Sequence, residues 1–263
     1  MKSLRTVGLA GPIGLGILCL AALLVGSGRV SAEITEDAKK DFNRGVELSR
    51  AKEPDSAIAA YEAAIAKSPD YLQAHINVGA LYYDKKQLTD AARHLKAAVT
   101  LDSTNVEAYK SLGLIHLQAK DYDASIAAFQ RLLVLDPKSK GGWASLAQAL
   151  KGKGDSKGAI DAYTHAAESD PKDPRPYCNI GNIHQSAGRF AEAIAAYKKS
   201  IAADPRFIDA YYNLAISSQQ LDQDKCVPDY QAFIKVAQGA PKWKTKVAEV
   251  QKIVGEIAKG GGQ

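Results

Sequence analysis

Sulfur, bulky aromatics and net charge are all in short supply in this sequence. Its 263 residues include three Cys, one Met, two Trp and five Phe, and most of its aromatic rings are Tyr. The formal charge is +5, and Lys2, Arg5 and Arg29 supply three of those charges in a segment, residues 1–32, that contains no acid. The body that follows carries only about +2. So weak a surplus excludes a nucleic-acid surface, which needs a concentrated basic stripe. Patterns for catalysis and metal binding are missing too. His75, His94, His116, His165 and His184 fall in different positions of the pattern described below, so packed or surface histidines are expected rather than a metal site. The stretch Gly152-Lys153-Gly154-Asp155-Ser156-Lys157-Gly158 looks like a phosphate loop, but it lacks the Gly-Lys-Ser/Thr ending and follows a helical segment rather than a strand. It reads as a turn between helices. No catalytic residue, metal or cofactor is expected.

The N-terminus has a grammar of its own. Lys2 and Arg5 precede an uncharged stretch, residues 6–28, whose core from Gly14 to Val25 is strongly apolar. Val30-Ser31-Ala32 then offers small residues of the kind that signal peptidase cleaves. Residues 1–32 are read as a signal peptide, with a retained membrane anchor through residues 6–28 as the alternative. Cys19 follows Leu18 rather than Gly or Ala, which argues against a lipoprotein-type cleavage. Either way the body is expected outside the cytoplasm, in a bacterial periplasm or tethered to the inner membrane.

From Ala38 onward the sequence repeats itself. Gly45, Gly79, Gly113, Ala147, Gly181 and Ala215 stand 34 residues apart. Twelve residues after the first five come Ala57, Ala91, Ser125, Ala159 and Ala193, and four further on Tyr61, Leu95, Phe129, Tyr163 and Tyr197. Eight beyond those stand Pro69, Ser103, Pro137, Pro171 and Pro205. Apolar residues three and four apart, such as Ala108, Leu112 and Ile115, make each segment an amphipathic helix. The small residues let two helices approach closely, and the large one fills the groove they leave. Proline ends each second helix and forces a turn into the next repeat. Links as short as Lys120-Asp121-Tyr122 make the paired helices antiparallel.

Segments such as "AYKSLGLIHLQAKDYDASIAAFQRLLVLDP" and "PYCNIGNIHQSAGRFAEAIAAYKKSIAADP" resemble the tetratricopeptide repeat family over roughly residues 35–240. The resemblance implies an all-α, right-handed superhelical solenoid of about six helix–turn–helix repeats. The array spans 33–240, with repeats near 38–71, 72–105, 106–139, 140–173, 174–207 and 208–240. Arg44 and Leu48 depart from the pattern in the first repeat, and Ser103 replaces a proline in the second. In the sixth the frame slips: Cys226 and Tyr230 fit the small and large slots only if the turn is one residue shorter, which puts Pro228 in the first turn of its helix. Residues 241–259, with Trp243, Val247, Val250, Val254 and Ile257 on one stripe, are expected to cap the array, and 260–263 to be a disordered tail.

In this family the first helices line a concave groove that holds extended peptides. The matching positions here are Asn43, Asn77, Ser111, Ser145, Asn179 and Asn213, one per repeat, together with Phe42, Ile76, Tyr83, Lys110, Gln148, Arg175, Asn182 and Tyr212. The amide row resembles the asparagine ladder of the O-linked N-acetylglucosamine transferases. An amide there can donate to a peptide carbonyl and accept from the next peptide N–H. The basic clamp of chaperone adaptors, which grips a C-terminal carboxylate, is not evident. The expected function is a non-enzymatic adaptor for a protein or peptide, without nucleic acid. The alternative is an assembly factor for a membrane-associated complex, acting by self-association or tethering. Cys178 and Cys226 open helices at opposite ends of an antiparallel packing, roughly 15–20 Å apart at ~1.5 Å per residue, too far for a bridge. Two separate thiols are expected, Cys226 structural and Cys178 partly exposed.

Overall fold

The computed structural model describes residues 33–223 and 226–260, so the proposed signal or anchor segment, residues 1–32, and tail residues 261–263 lie outside the described residues. The described residues contain helices and no strand. Six helix pairs run along the chain. They are α1 (Glu36–Arg50) with α2 (Pro54–Lys67), α3 (Leu72–Asp84) with α4 (Leu88–Leu101), and α5 (Val106–Gln118) with α6 (Tyr122–Leu135). Then come α7 (Lys140–Lys153) with α8 (Ser156–Ser169), α9 (Pro174–Ser186) with α10 (Phe190–Ala203), and α11 (Ile208–Leu221) with α12 (Val227–Ala237). A 3₁₀ turn, Pro241–Trp243, leads into α13 (Lys244–Gly260), which therefore takes in Gly260, expected above in the tail. None of the described helices is long and apolar enough to cross a membrane.

Local chemistry sets the ends of these helices. Asn105, Asp121 and Asp155 each accept a backbone N–H from the first turn of α5, α6 and α8, satisfying a donor that has no partner within the helix. Between the two helices of a repeat the chain turns through a left-handed residue at Lys52, Lys86, Lys120, Gly154 and Gly188, again 34 apart. Gly154, at φ 91°, lies in the glycine-rich stretch, where it and Asp155 make the turn between the end of α7 and the start of α8. The Tyr71, Asn105, Ser139, Asp173 and Phe207 amides each bond back to the carbonyl three residues earlier, so the turns between repeats share one geometry.

The repeat is locked by a missing side chain. A Cβ built on Gly113 would lie 2.6 Å from Phe129, and one on Gly45 would lie 2.7 Å from Tyr61. Gly79 and Gly181 stand in the same relation to Leu95 and Tyr197. Tyr61, Leu95, Phe129, Tyr163, Tyr197 and Tyr230 are all 2 % exposed or less. The core is thus a line of clusters, each joining a helix pair to its neighbour. In the sixth repeat Cys226 is fully buried just ahead of α12, and Pro228 occupies the first turn of that helix. Val250, Trp243, Val247, Val254 and Ile257 pack on the cluster around Tyr230 and Phe233, covering the end of the stack. Cys178 is also buried, not partly exposed as the sequence suggested, because it lies inside α9 against Tyr197 and Leu214 rather than at the helix start.

Two substitutions test this framework. Gly113→Val should lower unfolding stability by about 1–3 kcal/mol in a denaturant titration, since Phe129 has no room to retreat. Lys120, at φ 60°, holds a conformation that suits glycine. Lys120→Gly should therefore raise stability by up to about 1 kcal/mol, relief of strain exceeding the added freedom of the unfolded chain. A loss of stability in the second variant would mean that the Lys120 side chain contributes more than its backbone costs.

Candidate functional site

The first helices of neighbouring repeats approach one another: α3 touches α5, α5 touches α7 and α9 touches α11. The second helices show no comparable contacts with one another, so the first helices form the tighter, inner face of the array. Two cavities open along the middle of this face. One, of about 300 Å³, is lined by Ser145 and Gln148 of α7, Tyr163 and Ala166 of α8, and Arg175, Pro176 and Asn179 of α9, with Asp170 and Asp173 at its edge. The other, of about 350 Å³, is lined by Lys110, Leu114, Leu132, Asp136 and Ser145 among others. Gly141 and Ser145 belong to both, so the two form one continuous groove.

The groove has an apolar floor and a polar rim. Tyr163, buried on the floor, has its hydroxyl pKa pushed up to about 12 by burial. At the rim Arg175 donates from Nε and Nη2 to the two oxygens of Asp173, at 2.8 and 2.7 Å. That paired contact holds the Asp173 carboxyl below the usual carboxylate range. The same carboxylate caps α9 through the Arg175 amide, so the rim cation is held by the helix start. Lys110 pairs with Glu107 at 3.4 Å.

Five of the residues expected from the sequence therefore meet here: Lys110, Ser145, Gln148, Arg175 and Asn179. Others are placed elsewhere. Phe42 stacks on Tyr71 at 4.8 Å and packs against Tyr61 in the first repeat, and Asn43 lines a separate, highly charged cavity with Arg44, Glu47 and Lys67. Ile76 and Tyr83 lie against the core cluster of the second repeat. Tyr212 is covered by Trp243 at 5.7 Å and by the Lys246 ammonium. Ser111 is half-buried on α5 and lines neither central cavity.

The amide row divides in the same way. Asn77 donates to the Tyr61 hydroxyl at 3.3 Å. Asn213 donates to Asn182 Oδ1 at 3.1 Å, and the Tyr197 hydroxyl donates to that same oxygen at 2.8 Å. These three amides tie repeats together, whereas Asn179 sits on the groove wall. Sequence spacing could not separate the two roles, because the partners, the Tyr61 hydroxyl for Asn77 and the Asn182 amide for Asn213, come from the neighbouring repeat.

An inner face of first helices, with a groove of apolar floor and polar rim, defines a helical-repeat protein built for interaction with other polypeptides. Among the described residues no group of three or more His, Cys, Asp or Glu side chains is placed to hold a metal ion. Models of the "Tetratricopeptide repeat" match residues 42–106, 87–140 and 111–174, and one of the "TPR repeat" matches 181–222. The chain belongs to the tetratricopeptide repeat family. Its fold is similar to the crystal structure of MamA protein, with 27% identity over 65% of this chain and 93% of that one and a TM-score of 0.63. It is also similar to MamA from Desulfovibrio magneticus RS-1, at 15% identity, 66% and 98% coverage and a TM-score of 0.61. A third similar structure is YrrB, described as a TPR protein with an unusual peptide-binding site, at 20% identity, 67% and 91% coverage and a TM-score of 0.61. No curated protein matches the chain in sequence.

The thiol beside this network gives a direct test of its burial. Cys178 lies 3.9 Å from the Asn213 amide, and burial pushes its pKa up to about 11. In native protein at pH 8 it should alkylate on the order of a hundredfold more slowly than free cysteine, and normally in denaturant. Rapid native alkylation would show that the joint between α9 and α11 is open.

Proposed function

We propose that the chain is an exported interaction scaffold that holds an extended segment of another polypeptide along the groove between α5 and α9. The observation that carries this reading is the convergence of Lys110, Ser145, Gln148, Arg175 and Asn179 on one continuous groove made of two adjoining cavities of about 300 and 350 Å³. An extended peptide has alternating N–H and C=O groups along its whole length, and Ser, Gln and Asn side chains can meet both. The apolar floor of Leu114, Tyr163 and Ala166 supplies burial for alternate side chains, which is how grooves of this kind gain affinity. The rim cations Arg175 and Lys110 are already paired with Asp173 and Glu107, so the contacts offered to the ligand backbone are chiefly the uncharged Ser145, Gln148 and Asn179. Export rests on the basic start, the apolar core from Gly14 to Val25 and the small residues Val30-Ser31-Ala32. A retained anchor through residues 6–28 would place the same groove at a membrane surface.

The test is a crosslinking pull-down from the exported fraction, followed by binding measurements on the segment recovered. Ser145→Ala with Asn179→Ala removes two polar contacts worth about 0.5–1.5 kcal/mol each, and should weaken binding roughly tenfold with helicity and melting unchanged. Raising the salt should change little. Full affinity in that double variant would move the site off the groove.

A further inference from the structure

The boundary between the first two repeats holds a buried pair of histidines that the groove does not use. His75 on α3 and His94 on α4 are 7 % and 1 % exposed. Their Nδ1 atoms are 3.1 Å apart. His75 Nε2 lies 2.9 Å from the Pro69 carbonyl, and His94 Nε2 lies 2.9 Å from Glu62 Oε1 on α2. The Tyr82 hydroxyl donates to the same Glu62 oxygen at 3.1 Å. The chain of contacts therefore runs from the end of α2 through the second repeat and back to α2.

Both histidines break the repeat. Where His94 stands, the other repeats have Ala60, Ala128, Ala162 and Ala196. His75 occupies a column that holds Tyr109, Trp143, Tyr177 and Tyr211. In that column Trp143 Nε1 donates to the Pro137 carbonyl at 3.0 Å, and the Tyr211 hydroxyl to the Pro205 carbonyl at 3.2 Å. Pro69 is the same turn proline, so His75 Nε2 takes over a donor role that the fold already uses.

The hydrogen count then follows from the partners. A carbonyl only accepts, so His75 Nε2 carries a proton. Glu62 Oε1 already accepts from Tyr82, so His94 Nε2 also carries one. Between the two Nδ1 atoms one proton is required, one ring donating and the other accepting. The two rings together hold three protons, and thus a single positive charge opposite the Glu62 carboxylate. A fourth proton sets N–H against N–H at 3.1 Å and puts two cations side by side.

We propose that His75 and His94 form a one-proton latch that fastens the first repeat to the second and releases it when a second proton arrives. The charged and titratable groups bearing on His94 are Glu62 from α2, His75 and Tyr82 from α3, and Arg93 beside it on α4. Arg93 is 3.7 Å from Glu62 and 3.4 Å from Asp90, so it shares the carboxylate without entering the chain of bonds. Burial, above all, lowers the pKa of His94, and Arg93 and then His75 lower it further, against the opposing pull of Glu62. Once released, the two rings are free imidazoles, which at low pH carry four protons between them, one more than the closed pair; the ordinary imidazole value is ~6.5. Below that pH the open form binds more protons than the closed one. The latch is therefore tightest at ~6.5: below it the open form gains a fourth proton that the closed form lacks, and above it the closed form keeps a third proton that the open form sheds, so opening increases on either side and most steeply toward acid. What it frees is α1–α2, the repeat that carries Phe42 and Asn43.

Amide hydrogen exchange on the full chain tests this directly, with rates corrected for the intrinsic effect of pH. The opening constant of α1–α2 should rise below ~6.5, steepening toward about tenfold per pH unit as one extra proton is taken up on opening, while α7–α10 stay unchanged. His94→Leu should abolish the rise, if the variant folds. The wild type gives a second readout whatever that variant does. In a ring-proton resonance titration the pair should take up its fourth proton only in step with the opening of α1–α2. Equal opening at pH 7 and pH 5, or two histidines that titrate independently at ordinary values with α1–α2 closed, would overturn the latch.

Discussion

The array depends on one steric relation, a glycine or alanine on the first helix of a repeat opposite a large side chain on the second. At Gly113 and Phe129 the fit leaves no space for even a methyl group. Close approach at that point sets the distance between paired helices, and the next first helix packs into the pair so formed. Because each unit buries its apolar face only against a neighbour, stability is shared along the stack. The open end needs a cover, and the stripe of α13 with Trp243 provides it.

The groove is a consequence of the same packing. First helices contact one another at α3–α5, α5–α7 and α9–α11 and second helices do not to the same degree, and residues of α5, α7 and α9 line the two adjoining cavities of that inner face. Ser145 stands where two cavities meet. Toward either end the positions that would extend the groove are taken up by the fold itself. Phe42 stacks on Tyr71 in the first repeat, and Tyr212 lies beneath the cap. The open groove is thereby confined to the central repeats.

Periodic features were legible in the sequence and aperiodic ones were not. Gly45, Gly79, Gly113 and Gly181 with their large partners recur every 34 residues, and such recurrence carries its own check. The slipped frame at Cys226 and Tyr230 could be read because both slots moved together, and both residues are buried. The His75–His94 contact escaped because it joins two positions that each break the pattern, 19 residues apart on different helices. The available signal was a histidine in a column of alanines. The burial of Cys178 was missed for a related reason: its covering residues, Tyr197 and Leu214, come from helices on either side. For the amide row, residue type fixed the slot but not whether Asn77, Asn182 and Asn213 would be spent on neighbouring tyrosines and amides.

The central claim is that another polypeptide lies along α5, α7 and α9. Site-specific photocrosslinking in cells tests it most directly. A photoreactive residue replacing Gln148, on the groove wall, is compared with one replacing Val134, which is 69% exposed on α6 and outside both cavities. The account predicts a defined crosslinked partner from position 148, lost on combining it with Ser145→Ala and Asn179→Ala, and none from position 134. The same partner captured from position 134 and not from 148 would contradict it.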